Sequence, residues 1–273
     1  MDRGIQPCGF LLELSLDWIV RRASENVHHL LGESHVTLID EPLGKFVHAQ
    51  ALHDIRNLFS RLSGSTGIGR AYRVRLTDDH DRFDLTFQQH DDRVLLEAIA
   101  SPDEGLAETL SAVGGLAAGL AGHGGAALLD NAARRMRALT AFDRVTLLVD
   151  GKKATSSRTG VSFRDGANAS LPDGMPVLVS DAAGAGVPIF PRSADDAAIT
   201  DAILLAPTEQ QCADLAERGF ASTMRVPMVV DGAPAGEFRM AHMTPRHPSF
   251  ELHAAAELFA QMAALRLEID RRG

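Results

Sequence analysis

Cys8 and Cys212 are the two thiols of this 273-residue chain, and a thiolate is a side chain suited to covalent attachment of a small molecule. Two cysteines cannot build a disulfide framework or a four-ligand zinc site on their own. Cys8 lies inside "IQPCGFLLEL", beside Pro7 and ahead of an apolar run, which favours a small packed side chain over a reactive handle. Among the histidines, His28 and His29 are adjacent and do not share a helix face. His242, His247 and His253 are spaced 5 and 6 apart across a Pro-containing turn. A metal site wants tighter spacing, such as i, i+4 on a helix, with a carboxylate or thiolate added. No metal is expected, and these histidines are read as solvated or capping. "GSTGIGR", residues 64 to 70, lacks the Lys-Ser/Thr of a phosphate-binding loop and the full dinucleotide fingerprint, so it reads as a turn. No Gly-x-Ser-x-Gly elbow occurs. Catalysis is not expected.

The elements that must position these groups follow from composition and period. The length suggests two domains. Hydrophobic residues make up 45% and charged residues 23%, an ordinary globular balance. The net charge is −9 without a basic run, which argues against a nucleic-acid partner. No apolar stretch is long enough to span a membrane, and Glu13 and Asp17 interrupt the early apolar run, so a signal peptide is not expected. A reducing, cytoplasmic setting fits the cysteine usage.

Residues 9 to 22 read as a hairpin, followed by "ASENVHHLLGES" as a short helix closed at Gly32. "LIDEPLGKFVHAQALHDIRNLFSRLSG" reads as mainly helical, and "GRAYRVRL", "RFDLTFQQH" and "RVLLEAIAS" alternate as strands. Two strands, short helices, then three strands is the order of a PAS domain, assigned to residues 1–101. Residues 102–126 are rich in Gly and Ala and read as a linker or a loose helix. From 127 to 273 the order is helix, hairpin at Asp150-Gly151, an irregular stretch over 159–208, helix, hairpin at Asp231-Gly232, and a long final helix. That is the order of a GAF domain. The expected fold is α+β: two domains, each an antiparallel sheet flanked by helices.

Several of these stretches resemble the photosensory core of bacterial phytochromes. "IQPCGFLLEL" and "RRASENVHHLLG" resemble the start of its PAS domain, which has Ile-Gln-Pro-His-Gly and then a helix of the Ala-Ser-x-Asn…Leu-Leu-Gly kind. "RALTAFDRVTLLVDG" and "LAERGFASTMRVPMVVDGAPAGEFRMAHMTPR" resemble the opening and later hairpin of its GAF domain. Residues 180–207 resemble the GAF loop that lassoes the N-terminal segment into a knot, which would be shallow with four residues ahead of Ile5. The resemblance implies a light sensor holding a linear tetrapyrrole in the GAF domain.

Carried over position by position, the resemblance thins at that site. The bacterial family links its bilin to a Cys upstream of Ile-Gln-Pro, and residues 1–4 hold none. In the plant and cyanobacterial type the linking Cys and the next His fall here on Gln210 and Gln211. Cys212 is two residues on from Gln210, about 200° around a helix. The first His of the family's Cys-His-His falls on Ala241 and the second on His242. The family's Pro-Ala-Ser-Asp-Ile-Pro element has no clear counterpart in "FRDGANASLPDGMPV". Arg158, Arg164 and Arg225 are the candidate donors for bilin propionates, with His242 beside them. A buried, protonated bilin without partners for its pyrrole nitrogens is very costly.

The expectation is therefore a cytoplasmic, non-catalytic PAS–GAF sensory or regulatory module without normal bilin binding. It would act through protein–protein contact or a small ligand, with no cofactor. The alternative is a biliverdin-binding red/far-red photoreceptor with an atypical pocket, linked if at all through Cys8 or Cys212. In the last helix Leu258, Met262, Leu265 and Ile269 form a heptad-like stripe, while Leu252, Ala255, Phe259 and Ala263 offer a second apolar face for the sheet. A homodimer through the stripe is expected. The given sequence ends at "EIDRRG" without the further domains of a phytochrome. A signalling partner in trans, such as a histidine kinase or response regulator, is thus one reading, and a piece of a longer protein the other.

Overall fold

The computed structural model describes residues 4–62, 67–78, 82–101, 106–164, 171, 173–193, 197–247 and 249–272. The turn reading of residues 64–70 and parts of the 163–179 stretch lie in whole or part outside the described residues. In chain order the first elements are β1 (Gly4–Ile5), β2 (Gly9–Ser15), β3 (Val20–Ser24), α1 (Val27–Leu31), α2 (His35–Leu38), α3 (Ala49–Ser60), β4 (Gly69–Val74), β5 (Phe83–His90) and β6 (Arg93–Ala100). Then come α4 (Leu106–Ala118), α5 (Gly125–Thr140), β7 (Arg144–Val149), β8 (Lys152–Ser157), β9 (Leu178–Val179), β10 (Val187–Phe190), α6 (Ala197–Thr200), α7 (Glu209–Arg218), β11 (Ser222–Val230), β12 (Ala233–His242) and α8 (Phe250–Arg272). The helical reading of residues 38–64 is only partly met, since a single 3-10 turn at Leu43–Lys45 separates α2 from α3. The Gly/Ala-rich stretch after residue 101 carries α4. The 159–208 stretch is not wholly irregular: it supplies β9, β10 and α6. No described helix is long and apolar enough to cross a membrane.

The chain divides into two compact units. The first is residues 1–103 with 184–206 and 247–250, and the second is residues 104–183, 207–246 and 251–273. Residues 184–206 therefore form an excursion: they lie within the second unit's stretch of sequence but belong to the first unit's sheet.

That sheet has seven strands in the order β1-β10-β3-β2-β6-β5-β4, all neighbours antiparallel. Alternation along β2 and β6 splits their side chains between two faces. Phe10, Leu12, Leu14, Val94, Leu96 and Ala98 face one core, joined by Val27, Leu38 and Ile55 from the helices and by Phe83, 6.0 Å from Phe10. On the other face Leu11, Glu13, Leu95, Glu97 and Ile99 are also buried. The excursion accounts for part of that burial: Glu97 accepts hydrogen bonds from the backbone N–H of Ile203 (3.1 Å) and Leu204 (2.7 Å). Residues 4–6 are held on two sides by the same excursion. Gly4 and Ile5 pair with Pro188 and Val187, while Gln6 N–H donates to Leu204 (2.8 Å) and Ala206 N–H donates to Gly4 (2.9 Å). Gly9 sits where a Cβ would come within 2.3 Å of the Ala98 carbonyl and 2.7 Å of Leu204 Cδ1, so only glycine lets the strand lie this close.

The second sheet has five strands in the order β8-β7-β12-β11-β9. Its two hairpins turn at Asp150-Gly151 (φ 48° and 71°) and Asp231-Gly232 (φ 51° and 78°), the left-handed pairs that tight hairpins demand. One face, with Val145, Leu147, Val226, Phe238 and Met240, is buried against α5 and α8, with Phe238 lying 6.2 Å from Phe259. Ala255, Phe259 and Ala263 of α8 are buried, whereas Leu258, Met262, Leu265 and Ile269 are exposed. The two apolar faces expected of that helix are present and differ in cover.

Candidate functional site

The other face of the second sheet is polar, because β7, β11 and β12 place Arg144, Thr146, Thr223, Arg225, Glu237 and Arg239 on it. Register brings Arg225 directly opposite Arg239, and Glu237 stands two residues from Arg239 on the same side. Two guanidiniums facing each other would repel. Glu237 resolves this by pairing with both Arg225 and Arg239. Burial works against the charge on Arg239, but hydrogen bonds to Glu237 and Asp173 outweigh it and hold its pKa above the usual value.

The same arginines pin the segment that crosses this face. Arg239 donates to the Leu171 carbonyl (2.9 Å) and to Asp173 (2.7 Å), and Arg225 donates to the Met175 carbonyl (2.6 Å). Gln211 on α7 donates to the Gly174 carbonyl (2.8 Å) while its side-chain oxygen accepts from Thr208 N–H to close the helix cap. Leu171, Met175, Leu215 and Phe220 form a small core there with Val179 and Ala241, and Phe163 packs on it. The Arg144 guanidinium stacks 3.7 Å over the Phe163 ring.

A second cluster gathers on Asp143, which is buried just ahead of β7. Its carboxylate lies 2.9 Å from His242 Nδ1 and 3.4 Å from Arg158, and accepts the backbone N–H of Met243 at 3.1 Å. Burial pushes the His242 pKa down, with Arg246 and Arg158 adding to the fall and Asp143 opposing it. His242 is thereby less readily charged than an ordinary imidazole.

The predicted residues thus separate. Arg158 and His242 meet on Asp143, Arg225 sits on Glu237, and Arg164 lies apart, donating to the Ala216 carbonyl of α7 at 3.3 Å. Cys212 is half-buried on α7, where burial, then Glu209 and Asp181, raise its thiol pKa. Cys8 is half-buried in the first unit, and neither cysteine forms a disulfide. His253 is 1% exposed, which corrects the reading of it as solvated or capping. Its place on the inner side of α8 explains the burial. Among the described residues no three His, Cys, Asp or Glu side chains come together as a metal site. Asp143, Glu237 and Arg239 escaped the sequence reading. The hairpin turn at Asp231-Gly232 alone would set Arg225 against Phe238; a register shift between Met228 and Val229 brings Arg239 opposite it, which no local signal in the sequence announces.

Comparison with known proteins agrees with this architecture. The family model for the PAS fold matches residues 1–98, and the model for the GAF domain matches residues 125–269. No curated protein matches the chain. Among solved structures, the chromophore-binding domain of an unusual bacteriophytochrome from R. palustris is 21% identical, with a TM-score of 0.78 over 98% of this chain and 96% of that one. The chromophore-binding domain of a Stigmatella aurantiaca bacteriophytochrome in the Pr state is 20% identical, with a TM-score of 0.80 over 97% and 95%. The longer photosensory core module from Stigmatella aurantiaca is 18% identical with a TM-score of 0.79, and this chain spans 58% of it. At these identities the likeness is one of fold. The chain belongs to the GAF domain family and, with the PAS fold ahead of it, is a phytochrome-like PAS–GAF module.

Proposed function

We propose that the chain is a cytoplasmic sensory or regulatory module that relays a signal by protein–protein contact or a small ligand, without a bilin held in the usual way. The observation that carries this reading is how the polar face of the second sheet is used. Leu171 and residues 173–177 are pinned across it, and Phe163, Leu171 and Phe220 pack beside α7. The guanidiniums that bilin propionates would need are engaged at home: Arg225 on Glu237, Arg158 on Asp143 and Arg164 on α7. Gln211, where the family carries a histidine, holds Gly174 and the helix cap. A raised thiol pKa leaves Cys212 a poor nucleophile. These residues do not fit a bilin.

Adding biliverdin to the purified protein and recording its spectrum tests the reading. The spectrum of the unbound pigment is expected. A red-shifted, light-convertible band would overturn it in favour of the second reading, a red/far-red photoreceptor with an atypical pocket lined by Arg158, Arg164, Arg225 and His242. The fold likeness to chromophore-binding domains is what favours that alternative. The pairing of residues 4–6 with both arms of the excursion supports a phytochrome-type knot.

Signal relay needs a surface, and α8 offers one. Leu258, Met262, Leu265 and Ile269 are 46%, 38%, 61% and 64% exposed in a single stripe. This supports a homodimer; the downstream partner in this reading is a histidine kinase or response regulator, on the family resemblance alone. Light scattering should give a dimer that Leu258→Glu with Leu265→Glu converts to a monomer. A monomeric wild type rejects it.

A further inference from the structure

Residues 4–6 are gripped from two sides, and the two grips differ in kind. On one side β10 pairs with Gly4 and Ile5 and is itself laddered onto β3, Ile189 with Ser24 and Phe190 with Ala23. Backbone ladders of this sort do not titrate. On the other side Leu204 accepts the Gln6 backbone N–H (2.8 Å), Leu205 accepts its side-chain amide (3.2 Å), and Ala206 N–H donates to Gly4 (2.9 Å). The segment that makes these bonds, residues 201–206, is tied to the sheet through side chains. Glu97 of β6 takes the Leu204 and Ile203 N–H groups on its two oxygens, with the Thr86 hydroxyl at 3.3 Å. At the start of the segment His90 Nε2 lies 2.7 Å from the Asp201 carboxylate, and Gln88 donates to the Asp201 carbonyl at 3.2 Å. Ala202, Ile203 and Leu204 are buried, so docking the segment helps take the Glu97 carboxyl out of water.

We propose that residues 201–206 form a proton-controlled latch on residues 4–6, closed in acid and progressively released as pH rises through neutrality. Its two titratable contacts work in the same direction. Burial pushes the Glu97 carboxyl up to about 7, although the Leu204 and Ile203 N–H groups and the Thr86 hydroxyl pull it down. Lifting the segment off the sheet returns that carboxyl toward water and its ordinary value of 4.5. The closed latch therefore holds a proton that the open one releases, so closure is favoured at low pH and weakens as pH rises through about 7. The contact between His90 and Asp201 is an ion pair only while His90 is protonated, so it too loosens on the alkaline side. Alternation puts other charged groups on the same sheet face. Glu13 on β2 is held by Arg22 and Arg93, and Asp84 on β5 accepts the Arg73 N–H and the Ser101 hydroxyl. Arg70 on β4 stands opposite Thr86, and His90 stands opposite Arg93 beside Asp91 and Asp92. Burial prevails over the cations among them, since the net shift at Glu97 is upward.

Hydrogen exchange of the full chain, read by NMR from pH 5 to 8, tests the latch. Each rate is divided by that of the unstructured peptide at the same pH, which leaves the protection factor. Protection of the Gln6, Ile203, Leu204 and Ala206 N–H groups should fall by up to about tenfold per pH unit between pH 5 and 7. These four should also exchange faster than the β5–β6 ladder and depend little on urea below the unfolding transition, which marks a local opening. Glu97→Gln should flatten their pH dependence. His90→Ala, at a partly exposed site, should speed their exchange about two- to fivefold at pH 5 and little at pH 8. Should Glu97→Gln fail to fold, the wild-type profile and His90→Ala decide. Protection independent of pH, an unchanged profile in a folded Glu97→Gln, or exchange in step with the β5–β6 ladder in both rate and urea dependence overturns the proposal.

Discussion

Glu97 is fully buried, and that burial pushes its carboxyl up to about 7, against the opposing pull of the Leu204 and Ile203 N–H groups and the Thr86 hydroxyl. In the unfolded chain the same group titrates near 4.5. Between these values the folded protein holds a proton that the unfolded chain releases, so this contribution to stability is present at low pH and lost as pH rises through about 7. Urea unfolding followed by the single Trp, Trp18, should therefore show stability falling by up to about 1.4 kcal/mol per pH unit between pH 5 and 7. Glu97→Gln should flatten that slope, and an unchanged slope in the variant assigns it to other groups. The thiol of Cys212 carries a second expectation. Burial, Glu209 and Asp181 all disfavour its thiolate. Iodoacetamide at neutral pH, read by mass spectrometry, should label it more slowly than glutathione, and urea should remove the difference. Labelling at the glutathione rate in the folded protein counts against the raised pKa.

At the scale of elements, α8 separates two kinds of apolar residue. Phe259 is fully buried against Phe238, so Phe259→Ala should cost about 3–5 kcal/mol in a denaturant titration. Leu265 is 61% exposed, and Leu265→Glu should leave stability within about 0.5 kcal/mol while weakening self-association. Equal losses from both would mean the helix is packed on all sides. Period and turn chemistry made such elements legible: both Asp-Gly hairpins, the three strands from Gly69 to Ala100 and the split faces of α8 were readable from local pattern. What stayed hidden depended on distant partners. "VPIF" sits between turn-forming residues, and nothing local says that Ile189 and Phe190 pair with Ser24 and Ala23. The polar face of the second sheet was half readable. Arg225 stood out, but its commitment to Glu237 required the register of β11 on β12. Asp143 gave no local signal, because His242 lies a hundred residues away and only the fold brings them together.

For the molecule as a whole, sequence order and spatial order disagree. The family models divide the chain into residues 1–98 and 125–269, yet the first unit's sheet also needs residues 187–190. A fragment of residues 1–101 lacks β10 and the N–H groups that meet Glu97, so it should give little soluble monomer by gel filtration. A soluble, cooperatively melting fragment would show that the excursion is dispensable. The excursion has a further consequence on the ribosome. Synthesis at about 5–20 residues per second leaves the first unit unfinished for several seconds after β6 has emerged. During that interval β3 is an open edge, the kind of edge that invites pairing with another chain. Nascent copies on one messenger are then closest to each other while least protected, which makes translation speed between Ala100 and Val187 a determinant of yield.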